Sequence, residues 1–141
     1  MRDLSYTMMG MQAALMRQLM RTLEPTGLSI GQPKVLAFLK SHEGLCQKDI
    51  AAACQIEPGT LTVLLNRMEK QGLLMRCYQN GNRKTRYVYL TDRGRELAAE
   101  VVDCFYEVER LAFTDVSEED RAVFTRVCEK IRQNLAGEKE G

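Results

Sequence analysis

The chain has 141 residues, 45% hydrophobic and 28% charged, which suits one domain with a core of its own. No apolar run approaches the roughly 18 residues that cross a bilayer, and the first residues lack a secretory leader's apolar stretch, so we expect no membrane partner. The formal net charge of +1 by itself argues against nucleic acid, but its distribution along the chain reverses that reading below.

Residues 4–24 read as a helix, with Leu4, Met8, Met11, Leu15 and Leu19 recurring at helical spacing until Pro25, Thr26 and Gly27 stop it. A second helix is expected over 30–42, capped by Ser29, with Pro33 in its first turn and Val35, Leu36 and Leu39 inward. A third over 47–54 places Ile50, Ala51 and Cys54 on one face. Glu57-Pro58-Gly59 opens a fourth, in which Leu61, Leu64, Leu65 and Met68 form the inward stripe and Gly72 marks the end. That stripe leaves Thr60, Thr62, Val63, Asn66, Arg67 and Lys70 outward or at its margins.

Two β-prone runs, 73–79 and 85–90, flank Asn80-Gly81-Asn82, a strong hairpin signal. Thr91-Asp92 caps a helix over 93–113, whose Leu97, Val101, Cys104, Val108 and Leu111 are spaced as a short heptad seam. After Ser117, set with Asp120 like a capping box, a last helix to about 135 carries Val123, Val127, Ile131 and Leu135. A charged tail, 137–141, follows.

From Thr60 to Arg95 eight basic residues face two acidic ones, a local +6, and from Glu96 onward twelve acidic residues face six basic ones. Such asymmetry makes an electrostatic footprint on one part of the molecule. Short helices, a tight turn, a polar-faced helix and a hairpin compose a winged helix-turn-helix. The fold class is mainly α with a small β-hairpin wing, flanked by terminal helices. The fourth helix fits the major groove of double-stranded DNA, where Asn66 can bond bidentately to an adenine edge and Thr60 and Thr62 offer hydroxyls and methyls. Arg83 and Lys84, at the hairpin tip, suit the backbone or the minor groove, while Lys70, Arg76 and Arg86 would neutralise phosphates.

The stretch CQKDIAAACQIEPGTLTVLLNRMEKQGLLMRCYQNGNRKTRYVYLT, 46–91, resembles the MarR family of multiple-antibiotic-resistance-type regulators. QKDIA, GTLT with NRMEKQGLL, and the wing running into VYLTDRGREL carry the likeness. The resemblance implies a single MarR-type domain over 1–141, its DNA lobe about 30–91 and its dimerisation helices about 4–24 and 92–136. It implies a sequence-specific transcriptional regulator, a repressor by family habit. Its DNA contacts would come from Gln47, Pro58, Gly59, Thr60, Thr62, Val63, Asn66, Arg67, Lys70, Arg76, Arg83, Lys84 and Arg86. A homodimer would form through Leu4, Leu97, Val101, Cys104, Val108, Leu111, Val127, Ile131 and Leu135, and would read a palindromic site with half-sites roughly 34 Å apart. The family's wing Asp-x-Arg is here Asn82-Arg83-Lys84, so an ion pair is replaced by an amide and a point charge. Val63 stands where the family often has a basic residue. Small amphipathic effectors are a family habit too, and Met8, Met11 and Met16 would suit an adaptable pocket wall.

Five scattered cysteines (Cys46, Cys54, Cys77, Cys104, Cys128) form no CxxC pair. Reduced thiols in a cytoplasmic setting are the expectation, with no cofactor, disulfide scaffold or metal site, and Cys77 in the wing strand is the thiol to test for reactivity. The only histidine, His42, has no partner for a relay, and neither a phosphate-cradling glycine loop nor GxSxG occurs, so no enzyme is expected. Two other readings stay open: a winged helix that docks proteins without reading DNA, and a thiol-responsive regulator.

Overall fold

A computed structural model of the chain describes residues 3–79 and 81–137. Asn80 of the expected turn and residues 138–141 of the tail lie outside these. Helix α1 (Leu4–Leu23) is capped by Asp3, whose carboxylate accepts from the Ser5 N–H at 2.8 Å. It ends in a 3-10 turn, Glu24–Thr26, closed by Gly27 in the left-handed conformation.

Helix α2 (Gln32–Ser41) starts two residues later than expected, and Ser29 is not its cap. Gly31, at φ 93°, takes that place without a side-chain bond. The Ser29 N–H instead donates to Gln32 Oε1 at 3.0 Å. Gln32 is fully buried and donates to Gln71 Oε1 at 2.9 Å, so this amide ties the start of α2 to the end of the fourth helix. Pro33 sits in the first turn as expected.

Strand β1 (Leu45–Cys46) then leads directly into α3 (Gln47–Cys54). Helix α4 (Pro58–Lys70) precedes a hairpin of β2 (Leu74–Gln79) and β3 (Asn82–Leu90). The sheet order is β1-β3-β2, all antiparallel, with Leu45 opposite Val88 and Leu74 opposite Leu90. β1 has no counterpart in the sequence reading, since two residues show no period.

Helix α5 (Asp92–Ala112) is capped by Thr91, whose hydroxyl accepts from the Gly94 N–H at 3.0 Å. Helix α6 (Glu118–Ala136) is capped by Ser117, whose hydroxyl accepts from the Asp120 N–H at 3.1 Å.

The core gathers Val35, Leu36 and Leu39 of α2, Ile50, Ala51 and Cys54 of α3, the α4 stripe, Leu74, Val88 and Leu90 of the sheet, and Ala98 and Val101 of α5. Burying the four α4 stripe residues, at about 1.5–3 kcal/mol each, fixes that helix's rotation and hence which side chains face away from the core. No described residue of α6 is buried. No helix among the described residues is long and apolar enough to cross a membrane.

Candidate nucleic-acid interface

Pro58 and Gly59 open α4, and the cap is Glu57, whose carboxylate accepts from the Gly59 and Thr60 N–H groups at 3.0 and 2.9 Å and from the Thr60 hydroxyl at 3.2 Å. These bonds hold the Glu57 carboxyl below its ordinary range. From sequence, Glu57-Pro58-Gly59 is expected to open this helix, without a named role for Glu57 as its cap, although a side-chain acceptor just before Pro-Gly is a capping signal. Thr62 points outward but bonds inward, its hydroxyl donating to the Pro58 carbonyl at 3.0 Å while accepting from Gln47 Nε2 at 3.3 Å. Val63, Asn66 and Lys70 are exposed, and Arg67 donates to the Ser29 hydroxyl at 3.3 Å.

Arg76 does not do what its charge suggested. Its side chain is only 4% exposed, which rules out a free phosphate contact. The guanidinium donates through Nε and Nη2 to the two Glu69 oxygens at 3.3 and 3.1 Å, through Nη1 to Gln47 Oε1 at 3.0 Å, and through Nη2 to Asn66 Oδ1 at 2.7 Å. One side chain thus joins β2, α3 and α4. The hydrogen bond from Arg76 is the main cause holding the Glu69 carboxyl below its ordinary range. A signal existed: Arg76 lies two residues beyond buried Leu74, on the strand face turned toward the helices.

The wing carries its charge openly. Arg83, Lys84 and Arg86 are all exposed on β3. Asn82 Oδ1 accepts from the Lys84 backbone N–H at 2.9 Å, so the residue in the family's aspartate position shapes the strand's turn and, among the described residues, bonds to no other side chain.

The sequence profile of the MarR family matches residues 28–85, the α2-to-wing lobe just described. The HTH-type transcriptional repressor MdtR of Bacillus subtilis is 27% identical over 94 residues, 67% of this chain, and the match spans 61% of that relative's length. Among solved structures, S. aureus MepR in its DNA-binding conformation superposes with a TM-score of 0.85 at 25% identity, covering 95% of this chain and 99% of that one. The transcriptional regulator PA3341 does so with a TM-score of 0.84 at 26% identity, over 96% and 100%. Over this lobe the chain is similar to MarR-family regulators.

The terminal helices, outside the stretch that matches the family, leave much apolar surface bare. Leu4, Leu111, Val127 and Leu135 are exposed, and Leu97, Cys104 and Ile131 are half-buried. Two residues of the expected seam are placed otherwise: Val101 and Val108 are buried within the single chain, where α5 lies against α1 and α2. Beside the seam, α1, α5 and α6 enclose an apolar cleft of ≈ 820 Å³, lined by Met11, Leu15, Phe105, Leu111, Phe113 and Phe124 among others. Val108 nonetheless borders this cleft. Of the three methionines expected to line a pocket, Met11 does; Met8 and Met16 are exposed but outside its lining.

Proposed function

We propose that this chain is a sequence-specific, DNA-binding transcriptional regulator that works in the cytoplasm as a homodimer, with 1–141 acting as one MarR-type unit. The observation that carries the reading is that α4, with its outward polar face, and the exposed basic wing are tied together by the bonds of Arg76 from β2 to α4. Thr60, Thr62 and Asn66 lie on a helix narrow enough for the major groove, and Arg83, Lys84 and Arg86 stand where a flanking backbone or minor groove would pass. Exposed arginines and lysines at a hairpin tip add nothing to a core, and a duplex supplies their counter-charge. MepR, of the same fold and 25% identical, is described in a DNA-binding conformation. MdtR is named a repressor, and repression is the direction we assign here.

The bare faces of α1, α5 and α6 favour a second copy as their cover, because patches of this extent in water invite association. The ≈ 820 Å³ cleft lies within the range of small-molecule sites and is nearly all apolar, which suits release of the DNA by a small aromatic or amphipathic effector.

The test is footprinting on the chain's own promoter region, with and without aromatic acids, together with binding titrations against salt. Replacing Arg83 and Lys84 by Ala should weaken binding to every duplex and flatten the salt slope by about two per protomer. Equal affinity and an equal slope would remove the wing from the interface. Failure to bind any duplex would favour a protein-docking role.

A further inference from the structure

A guanidinium has donors only, so every amide that meets one must turn its carbonyl oxygen toward it and its NH2 away. Arg76 imposes this on two amides at once, taking Gln47 Oε1 at 3.0 Å and Asn66 Oδ1 at 2.7 Å while Glu69 holds its other edge. The Gln47 NH2 is directed onto the Thr62 oxygen, and the Thr62 hydrogen is committed to the Pro58 carbonyl. The polarity of these bonds runs one way. Asn66 is the member on the exposed face; its oxygen is turned to Arg76, and its NH2 is a donor not used in the network.

We propose that Arg76 is a positioning residue that sets the hydrogen-bond polarity of the DNA-reading face. This inference rests on the DNA-binding reading above. A free asparagine reads adenine bidentately, accepting from N6 and donating to N7. Asn66 has its oxygen held in a short, charge-assisted bond, so it acts as a donor and reads an acceptor edge, guanine N7 and O6 before adenine. Arg76 touches no DNA in this scheme, as its burial requires. The adenine preference expected of Asn66 from sequence is thereby replaced.

The experiment selects binders from a pool of duplexes randomised over about two helical turns, using the full-length chain and the variants Arg76→Gln, Asn66→Asp and Asn66→Ala. If the wild type enriches no sequence, the DNA-reading role itself falls and this inference with it. If it does, Asn66→Ala locates the base pair read from position 66, and that base should be guanine. Asn66→Asp keeps an oxygen for Arg76 but turns a second oxygen outward, so the preference there should move to a base that donates, cytosine N4 or adenine N6. Arg76→Gln should lower discrimination at that pair about tenfold and leave the slope of affinity against salt unchanged. A slope reduced by about one per protomer would mean that Arg76 contacts phosphate and would overturn the proposal. So would an unaltered base preference in Arg76→Gln. Should that variant not fold, Asn66→Asp decides alone: an unchanged preference at the mapped pair overturns the proposal, and the shift to a donating base supports it.

Discussion

Glu69 shows how one carboxylate couples stability to acidity. Its pKa lies below the ordinary 4.5, chiefly through the hydrogen bond from Arg76. A depressed carboxyl pKa adds stability above the unfolded value, and that contribution is lost as pH falls through the folded value. Wild type should therefore melt higher than Glu69→Gln at pH 7, and the gap should close below about 4.5. A gap that does not narrow at all as pH falls below about 4.5 would mean the bond to Arg76 does not depend on the charge of Glu69. The thiols give a second contrast. Burial pushes the Cys54 and Cys104 thiols up, the latter helped by Glu107, Glu100 and Asp103. Cys77 stands exposed on β2. Alkylation of the native protein followed by peptide mass mapping should mark Cys77 well before Cys54 or Cys104. Equal labelling of all three would contradict the burial seen here.

Among the elements, the junction of α5 with the sheet is the least forgiving. A Cβ on Gly94 would lie 1.9 Å from the Leu73 carbonyl oxygen, a backbone atom that cannot turn aside. The same carbonyl accepts from the Thr91 N–H at 3.1 Å, and the Thr91 hydroxyl donates to the Gly72 carbonyl at 2.6 Å. Gly94→Ala should thus destabilise by roughly 3 kcal/mol, since α5 must move as a body; urea titration measures it, and a loss under 1 kcal/mol would show the junction to be plastic. The helices were largely legible in the sequence because their apolar spacing is local. Leu61, Leu64, Leu65 and Met68 are indeed the buried face of α4, and Gly81 takes the left-handed conformation that a glycine in a tight turn allows. Arg76 was misread for the opposite reason: its partners lie seven, ten and 29 residues away, and only the folded chain brings them together. Val101 and Val108 are already buried within one protomer, which the sequence did not show because a heptad seam reports that a face is apolar and not which neighbour covers it.

For the whole molecule, the proposed homodimer sorts the seam into two classes of substitution. Val108 is 4% exposed, so Val108→Asp puts a charge into the protomer's own interior and should unfold it. Leu111, 58% exposed, is free in one chain, so Leu111→Asp should leave a folded protomer that no longer pairs. Sedimentation with circular dichroism separates the two outcomes. A wild type that sediments as a folded monomer at micromolar concentration would remove the dimer altogether.

The two-residue strand β1 has a mechanical meaning larger than its length. The Gly44 N–H donates to the Val88 carbonyl at 2.8 Å, and Leu45 and Cys46 pair with the edge of β3 immediately before α3 begins. With Arg76 crossing from β2, the wing is latched at both edges to the helices that would meet DNA. The lobe is therefore a stiff paddle, and the amides of β1 and β3 should exchange with solvent together, as one opening event. On the proposed reading, a molecule bound between α1, α5 and α6 would act by swinging the lobe as a whole, so that the two lobes of a pair no longer match successive grooves on one face of the duplex.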